Sequence, residues 1–226
     1  MNSLLEGLRG GLIVSVQAWP GSALDDPYVV AAMARAAQES GAVAVRIAGV
    51  SNLHAVRARV AVPIIGLIKR KYAGFEPYIT PTLAEVRAAI AAAADIVAFD
   101  ATERARPDGS TLDEVVATIH AAGRLAMADC ATLADAVAAS EAGTDIVATT
   151  LCGYTAETHG RSLPALDLVG ELAPLATFAV CEGGIHSPCG VRSALDAGAD
   201  AVVVGTAITN VDWLVREFAG AADRVS

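Results

Sequence analysis

Short apolar runs rich in valine, isoleucine and alanine recur along the chain at residues 11–17, 42–48, 63–69, 95–101, 125–130, 145–151, 178–184 and 201–207. Runs of this length, continuously apolar rather than alternating, read as strands buried on both faces, the kind found in parallel sheets. Alanine-rich stretches of helical period follow them, each long enough for one crossover helix. Helix starts are signalled by Asp26-Pro27, Ser51, Thr82, Ser110, Thr132 and Ser187-Pro188, and helix ends by Gly41, Gly123, Gly143 and Gly198. The phrases "ESGAVAV", "AAAADIVAFD", "EAGTDIVATT" and "DAGADAVVVG" repeat one helix–turn–strand junction four times.

Eight such units, with no Pro/Gly/Ser linker between the halves, predict an α/β architecture. The expected fold is a single (β/α)8 TIM barrel occupying residues 1–226, with a short N-terminal helical segment. A doubly wound open sheet is the alternative, and the even repetition of the unit favours closure.

Composition agrees and narrows the partners. The chain is 54% hydrophobic but only 4% aromatic, so the core is built from Ala, Val, Ile and Leu. A net charge of -9 provides no basic face for nucleic acid or an anionic membrane, which leaves a small molecule as the expected partner. Charged residues and glycines interrupt every apolar run well before the roughly 20 residues needed to span a bilayer. The first eleven residues include Glu6 and Arg9 and lack the apolar core of a secretion signal. Cys130, Cys152, Cys181 and Cys189 form no C-x-x-C pair and read as reduced thiols, so a cytoplasmic protein is expected.

In barrels of this type the active site lies at the C-terminal ends of the strands. The runs end there on Gln17, Arg46, Lys69, Asp100, Asp129, the Thr149-Thr150 pair, Glu182 and Gly205-Thr206. Alternation along a strand puts Lys69 on one face with Leu67 and Ile65, Asp129 with Met127 and Leu125, and Glu182 with Val180 and Phe178. Outward-facing charges would be buried under helices, so these three are expected to point into the mouth. A lysine and two carboxylates in one small cavity shift each other's pKa values, as acid–base chemistry requires. For any one of them a solvated loop residue or a structural ion pair is an equally ordinary reading; the convergence of six favours a site.

Glu182-Gly183-Gly184 after the seventh strand and Gly205-Thr206 after the eighth expose backbone N–H groups without obstruction, at the loops where barrels commonly hold phosphate. A phosphate-bearing ligand is therefore expected. His54, His120, His159 and His186 are too dispersed for a metal constellation and read as solvated residues. Arg104 and Arg106 are candidates for a basic lid over a phosphosugar or for a solvated loop. Trp19 and Tyr154 line the mouth or cover the rim.

At these residues the chain resembles the bacterial N-acetylmannosamine-6-phosphate 2-epimerase family over essentially its full length. The matching phrases are "GLIVSVQA" at 11–18, "AVRIAGV" at 44–50, "PIIGLIKR" at 63–70, "YITPT" at 78–82, "DIVAFDAT" at 95–102, "RPDG" at 106–109, "LAMADC" at 125–130, "TTLCGYT" at 149–155 and "VVVGTAIT" at 202–209. The resemblance implies a homo-oligomeric barrel, a dimer being favoured, that works without cofactor or metal on a phosphosugar in amino-sugar breakdown. It places the catalytic lysine on Lys69 and the catalytic glutamate on Glu182. Substrate contacts fall on Gln17, Arg46 and Asp129, joined by Thr150 from the run ends, and phosphate contacts on Gly183, Gly205 and Thr206, joined by Gly184 from the exposed amides after the seventh strand.

Two positions depart from the family pattern. Val16 stands where cysteine precedes the strand-one glutamine, and Gly184 stands where an arginine commonly follows Glu-Gly. Restoring arginine at 184 is expected to lower KM if a phosphate contact is missing there. The expected reaction inverts C2 of N-acetylmannosamine 6-phosphate by proton removal and return. The alternatives are a Schiff-base aldolase on Lys69 and a non-catalytic phosphosugar-binding barrel.

Overall fold

The computed structural model describes residues 2–222 of the chain. Met1 and residues 223–226, which the expected domain span includes, lie outside the described residues. The elements alternate as α1 (Ser3–Leu8), β1 (Leu12–Val16), α2 (Pro27–Glu39), β2 (Ala44–Ala48), α3 (Val50–Arg57), β3 (Ile64–Leu67), α4 (Leu83–Ala91) and β4 (Ile96–Asp100). They continue as α5 (Leu112–Ala121), β5 (Leu125–Asp129), α6 (Leu133–Glu141), β6 (Ile146–Ala148), α7 (Leu166–Leu172), β7 (Ala179–Glu182), α8 (Pro188–Asp196), β8 (Ala201–Val204), α9 (Thr206–Thr209) and α10 (Val211–Ala222). The strands form a closed barrel in chain order, each paired in parallel with its sequence neighbours, and β1 pairs with β8. This is the (β/α)8 barrel that the eight apolar runs predict.

Two apolar layers follow from strand parity. Ile13, Ala44, Ile65, Leu67, Ile96, Ala98, Met127, Ile146, Phe178, Val180, Ala201 and Val203 fill the interior. Their neighbours in sequence, among them Val14, Val45, Ile64, Val97, Ala126 and Val147, pack outward under the helices. Leu5 and Leu8 of α1 join the interior cluster and close the barrel at the N-terminal ends of the strands.

The repeated phrase has a structural cause at that same end. Asp95, Asp145 and Asp200 each stand just before a strand, and each carboxylate accepts from the amide of a residue beginning the preceding strand: Ile64 at 2.9 Å, Ala126 at 2.8 Å and Ala179 at 2.8 Å. Each also holds a basic side chain, Arg57, His120 and Arg9 respectively. In "ESGAVAV" Val43 takes this place and packs so closely on Gly11 that a Cβ there would lie 2.5 Å from the valine methyl.

Most helix signals hold, with Asp26, Thr82, Thr132 and Ser187 capping α2, α4, α6 and α8. Two starts are corrected. Gly49, at φ 94°, precedes α3, which takes in Ser51. Thr111, in a reciprocal cap with Glu114, starts α5, while Ser110 bonds Asp108 instead. The run at 145–151 is a strand only over Ile146–Ala148, because Thr149 and Thr150 already turn into the following loop.

Candidate active site at the barrel mouth

The polar strand ends open onto a cavity of about 240 Å³ at the C-terminal ends of the strands. Gln17, Arg46, Lys69, Thr150, Glu182, Gly183, Gly184, Gly205 and Thr206 all line it, as do Trp19 and Tyr154 at the rim. The inward parity expected of Lys69 and Glu182 is what brings them there. Ser15, Tyr78, Thr209 and Asn210 join them without having been singled out from sequence, and so does His186, which by sequence is expected to be a solvated residue. Ser15 carried a usable signal, since it shares the face of Gln17; Tyr78 comes from a loop whose path no local pattern fixes.

The floor is a charge cluster built around Arg46. Its guanidinium holds Asp129 with two parallel bonds of 3.0 and 2.7 Å and reaches Glu182 Oε2 at 3.0 Å. Such a bidentate pair, buried on both sides, fixes the plane of the guanidinium. Thr150 Oγ1 lies 2.6 Å from Asp129 Oδ1 and 3.3 Å from Glu182 Oε2. Asp129, expected to touch a ligand, is fully buried behind Arg46 and does not line the cavity. Its charge is consumed in holding Arg46. Gln17 donates to Ser15 Oγ at 2.8 Å and leaves its buried Oε1 without a partner among the described residues, an acceptor available at the cavity wall.

Electrostatics set two groups apart. Burial pushes the Glu182 carboxyl up to about 7; Asp129 adds to the rise, and Arg46, Lys69 and the Thr150 hydroxyl oppose it. Lys69 follows β3, where its backbone bridges Ile79. Its side chain extends into the open cup, and desolvation by the walls there lowers its pKa, reinforced by the like charge of Arg46 against the pull of Glu182 and Asp129. No salt bridge joins Lys69 to Glu182 among the described residues; Lys69 follows β3 and Glu182 ends β7, four strands away in a ring of eight, and both line the cavity. A lysine whose pKa is lowered and a carboxyl whose pKa is raised, facing each other across a gap, are suited to moving a proton from one face of a bound molecule to the other.

The remaining arginines are placed differently from the expectation of a lid. Arg106 is buried and donates to the carbonyls of Asp100 and Thr80 at 2.7 Å, locking two loops together. Arg104 donates to Asp100 Oδ2 at 2.7 Å and so neutralises the buried strand-end aspartate. Neither lines the cavity.

At 184 the structure also revises the expected benefit of arginine. Gly184 has φ 70°, and a Cβ there would lie 2.3 Å from Leu163 Cβ and 3.1 Å from the Leu163 backbone. Glycine is required, and an arginine would have to displace the segment that carries Leu163. The amides of Gly183 and Gly184 donate to no acceptor among the described residues. Among those residues there is also no group of three His, Cys, Asp or Glu side chains arranged to hold a metal ion.

Fold and site together define a (β/α)8-barrel protein with a lysine and a glutamate lining one cavity at its mouth. Residues 30–224 match the profile of a family described as "Putative N-acetylmannosamine-6-phosphate epimerase". A protein of Klebsiella pneumoniae described as a putative N-acetylmannosamine-6-phosphate 2-epimerase is 47% identical over 91% of this chain and 87% of its own length. One from Synechococcus elongatus with the same description is 46% identical over 95% and 94%. The solved structure of the N-acetylmannosamine-6-phosphate 2-epimerase from Clostridium perfringens superposes with a TM-score of 0.94 at 38% identity, covering 97% of this chain and 96% of that one. The chain belongs to the N-acetylmannosamine-6-phosphate 2-epimerase family.

Proposed function

We propose that the protein is an isomerase that inverts C2 of N-acetylmannosamine 6-phosphate to give N-acetylglucosamine 6-phosphate. The observation that carries this reading is the placement of Lys69 and Glu182 across one cavity, unbonded to each other, with pKa values displaced toward neutrality. In the open-chain sugar the C1 carbonyl acidifies the hydrogen on C2. Lys69 in its neutral form removes that hydrogen from one face, and the Glu182 carboxyl delivers a proton to the other; the reverse reaction exchanges the roles. The negative charge that develops between these steps is offset by Arg46, whose position Asp129 fixes. Gln17 and Thr150 contact the sugar. The amides at Gly183, Gly184, Gly205 and Thr206 take the phosphate.

Residues 1–226 act as one domain, without cofactor or metal: Arg46 neutralises the carboxylates of the floor, which makes the cup a poor seat for a cation. The chain works in the cytoplasm as a homodimer. Free cysteines support the compartment, and Val211, Val215 and Phe218, exposed on one face of α10, support the pairing.

The test is an assay with N-acetylmannosamine 6-phosphate in deuterated water, with and without EDTA. Product carrying deuterium at C2 at an undiminished rate is expected, because proton removal exchanges that hydrogen with solvent. Product free of C2 deuterium, or sugar fixed to Lys69 by borohydride, would replace this reading with a shielded transfer or an aldolase.

A further inference from the structure

The phosphate end of the cavity poses a charge problem. Besides amides, a phosphate monoester calls for a cation, and the backbone at Gly184 leaves no room for one there. Among the described residues, the basic side chains that line the cavity are Arg46, Lys69 and His186. Arg46 is taken by Asp129 and Glu182. Lys69 stands on the opposite side of the ring, where the proton is handled. His186 remains, two residues beyond Gly184 and immediately before the cap of α8.

His186 is exposed but held. Its ring stacks on the indole of Trp213 in α10, with centroids 5.1 Å apart and planes 21° from parallel. The Trp213 amide donates to Asn210 Oδ1 at 2.9 Å, and Asn210 lines the cavity. Thr209, next to it, donates to the Ser15 carbonyl at 2.8 Å, which ties this turn to β1. A chain of contacts thus runs from the barrel wall through the α9–α10 turn to the imidazole. Stacking occupies the face of the ring and leaves its nitrogens at the edge; neither has a protein partner among the described residues. An imidazole donates a hydrogen bond in either charge state, and a charge-assisted one when protonated.

We propose that His186 binds the phosphate monoester of the substrate, supplying the side-chain contact that position 184 cannot, and that Trp213 is the positioning residue that holds its ring. This rests on the phosphosugar reading above. It also ties substrate binding to α10, since losing the indole frees the imidazole.

The experiment compares wild type with His186→Ala, His186→Lys and Trp213→Leu, reading kcat and KM for N-acetylmannosamine 6-phosphate and Ki for inorganic phosphate, with circular dichroism as a check of folding. His186→Ala is expected to raise KM and the phosphate Ki together by about tenfold or more with kcat within about twofold, and His186→Lys to recover most of the loss. Trp213→Leu is expected to raise the same two constants by a smaller factor. Unchanged KM and Ki in His186→Ala, or a KM rise without a matching rise in Ki, would overturn the proposal. Should wild type not turn over the sugar, the function above fails by itself, and titration of wild type and His186→Ala with inorganic phosphate, followed by phosphorus NMR, still decides the role of His186.

Discussion

The two ends of the barrel use the same residue types to opposite purposes. At the N-terminal end Asp95, Asp145 and Asp200 each satisfy a strand amide and a basic side chain, and α1 closes the opening with Leu5 and Leu8. At the C-terminal end the Lys69 ammonium, Gln17 Oε1, the Gly183 and Gly184 amides and the His186 ring nitrogens have no hydrogen-bond partner among the described residues and border a cavity, while Arg46 and Asp129 beneath them are paired. Charge consumed in internal bonds stabilises; charge left over at a concave surface acts on a ligand. The comparison predicts that substitutions at one end change stability with little effect on turnover, and at the other change turnover with little effect on stability.

The largest expected effect is at the mouth. Lys69→Met and Glu182→Gln should each lower kcat by about 10²–10⁴-fold, the usual range for one acid–base group, with a melting temperature near that of wild type. Either variant with full activity would end the assignment. The wild-type pH profile sharpens it. The pair is active when it holds one proton in total, so kcat/KM should rise as pH increases through about 7, where Glu182 gives up its proton in the doubly protonated pair. It should fall again at alkaline pH as Lys69 loses its own, below the usual lysine value. The residual activity of Glu182→Gln should lack the limb near 7.

Much of this site was legible from sequence because it depends on parity. Residues two apart on a buried strand share a face, so an interior filled by Leu67, Met127 and Val180 places Lys69, Asp129 and Glu182 at the mouth irrespective of the exact strand limits. What parity cannot give is depth and the course of loops. Asp129 has the right face but sits behind Arg46, a matter of side-chain length across the barrel. Arg106 bonds the carbonyl of Thr80, 26 residues before it, and His186 meets Trp213 from a helix 27 residues on; both are long-range contacts without a local signature. The aspartates at the closed end were visible as a repeated phrase, yet their role appears only once adjacent strands are aligned. The need for glycine at 184 comes from Leu163, 21 residues before it, and has no signature in the local sequence.

A smaller effect, of the opposite kind, is expected at the closed end. Asp95→Ala leaves the Ile64 amide without its acceptor and Arg57 without its 2.8 Å partner. An unsatisfied buried donor costs about 1–3 kcal/mol, which for a chain of this size lowers Tm by several degrees. Thermal unfolding should register the loss while kcat and KM stay within about twofold of wild type. A large fall in kcat at an unchanged Tm would break the division between the two ends.

The smallest effect tests whether the paired layer of the mouth tunes the reactive one. Thr150 has one hydroxyl proton and two carboxyls in reach, Asp129 at 2.6 Å and Glu182 at 3.3 Å. While Glu182 is protonated the hydroxyl is free to serve Asp129; once Glu182 ionises, the same proton is of use to its carboxylate. The hydroxyl therefore favours the ionised form and holds the Glu182 pKa below the value that burial alone would give. Thr150→Val removes this contribution with little change of volume. The pKa should rise above about 7, and the acid limb of kcat/KM should move to higher pH. A hydrogen bond to an ionised carboxylate contributes roughly 1.5–3 kcal/mol, and one this long and shared with Asp129 falls at the low end, so the shift should be about one pH unit. The deficit of the variant in kcat/KM should then be a few-fold larger at pH 7 than near pH 9, where only the lost contact with the sugar separates the two. A limb that stays in place or moves down would mean that Thr150 serves Asp129 alone and belongs with the structural bonds of the floor.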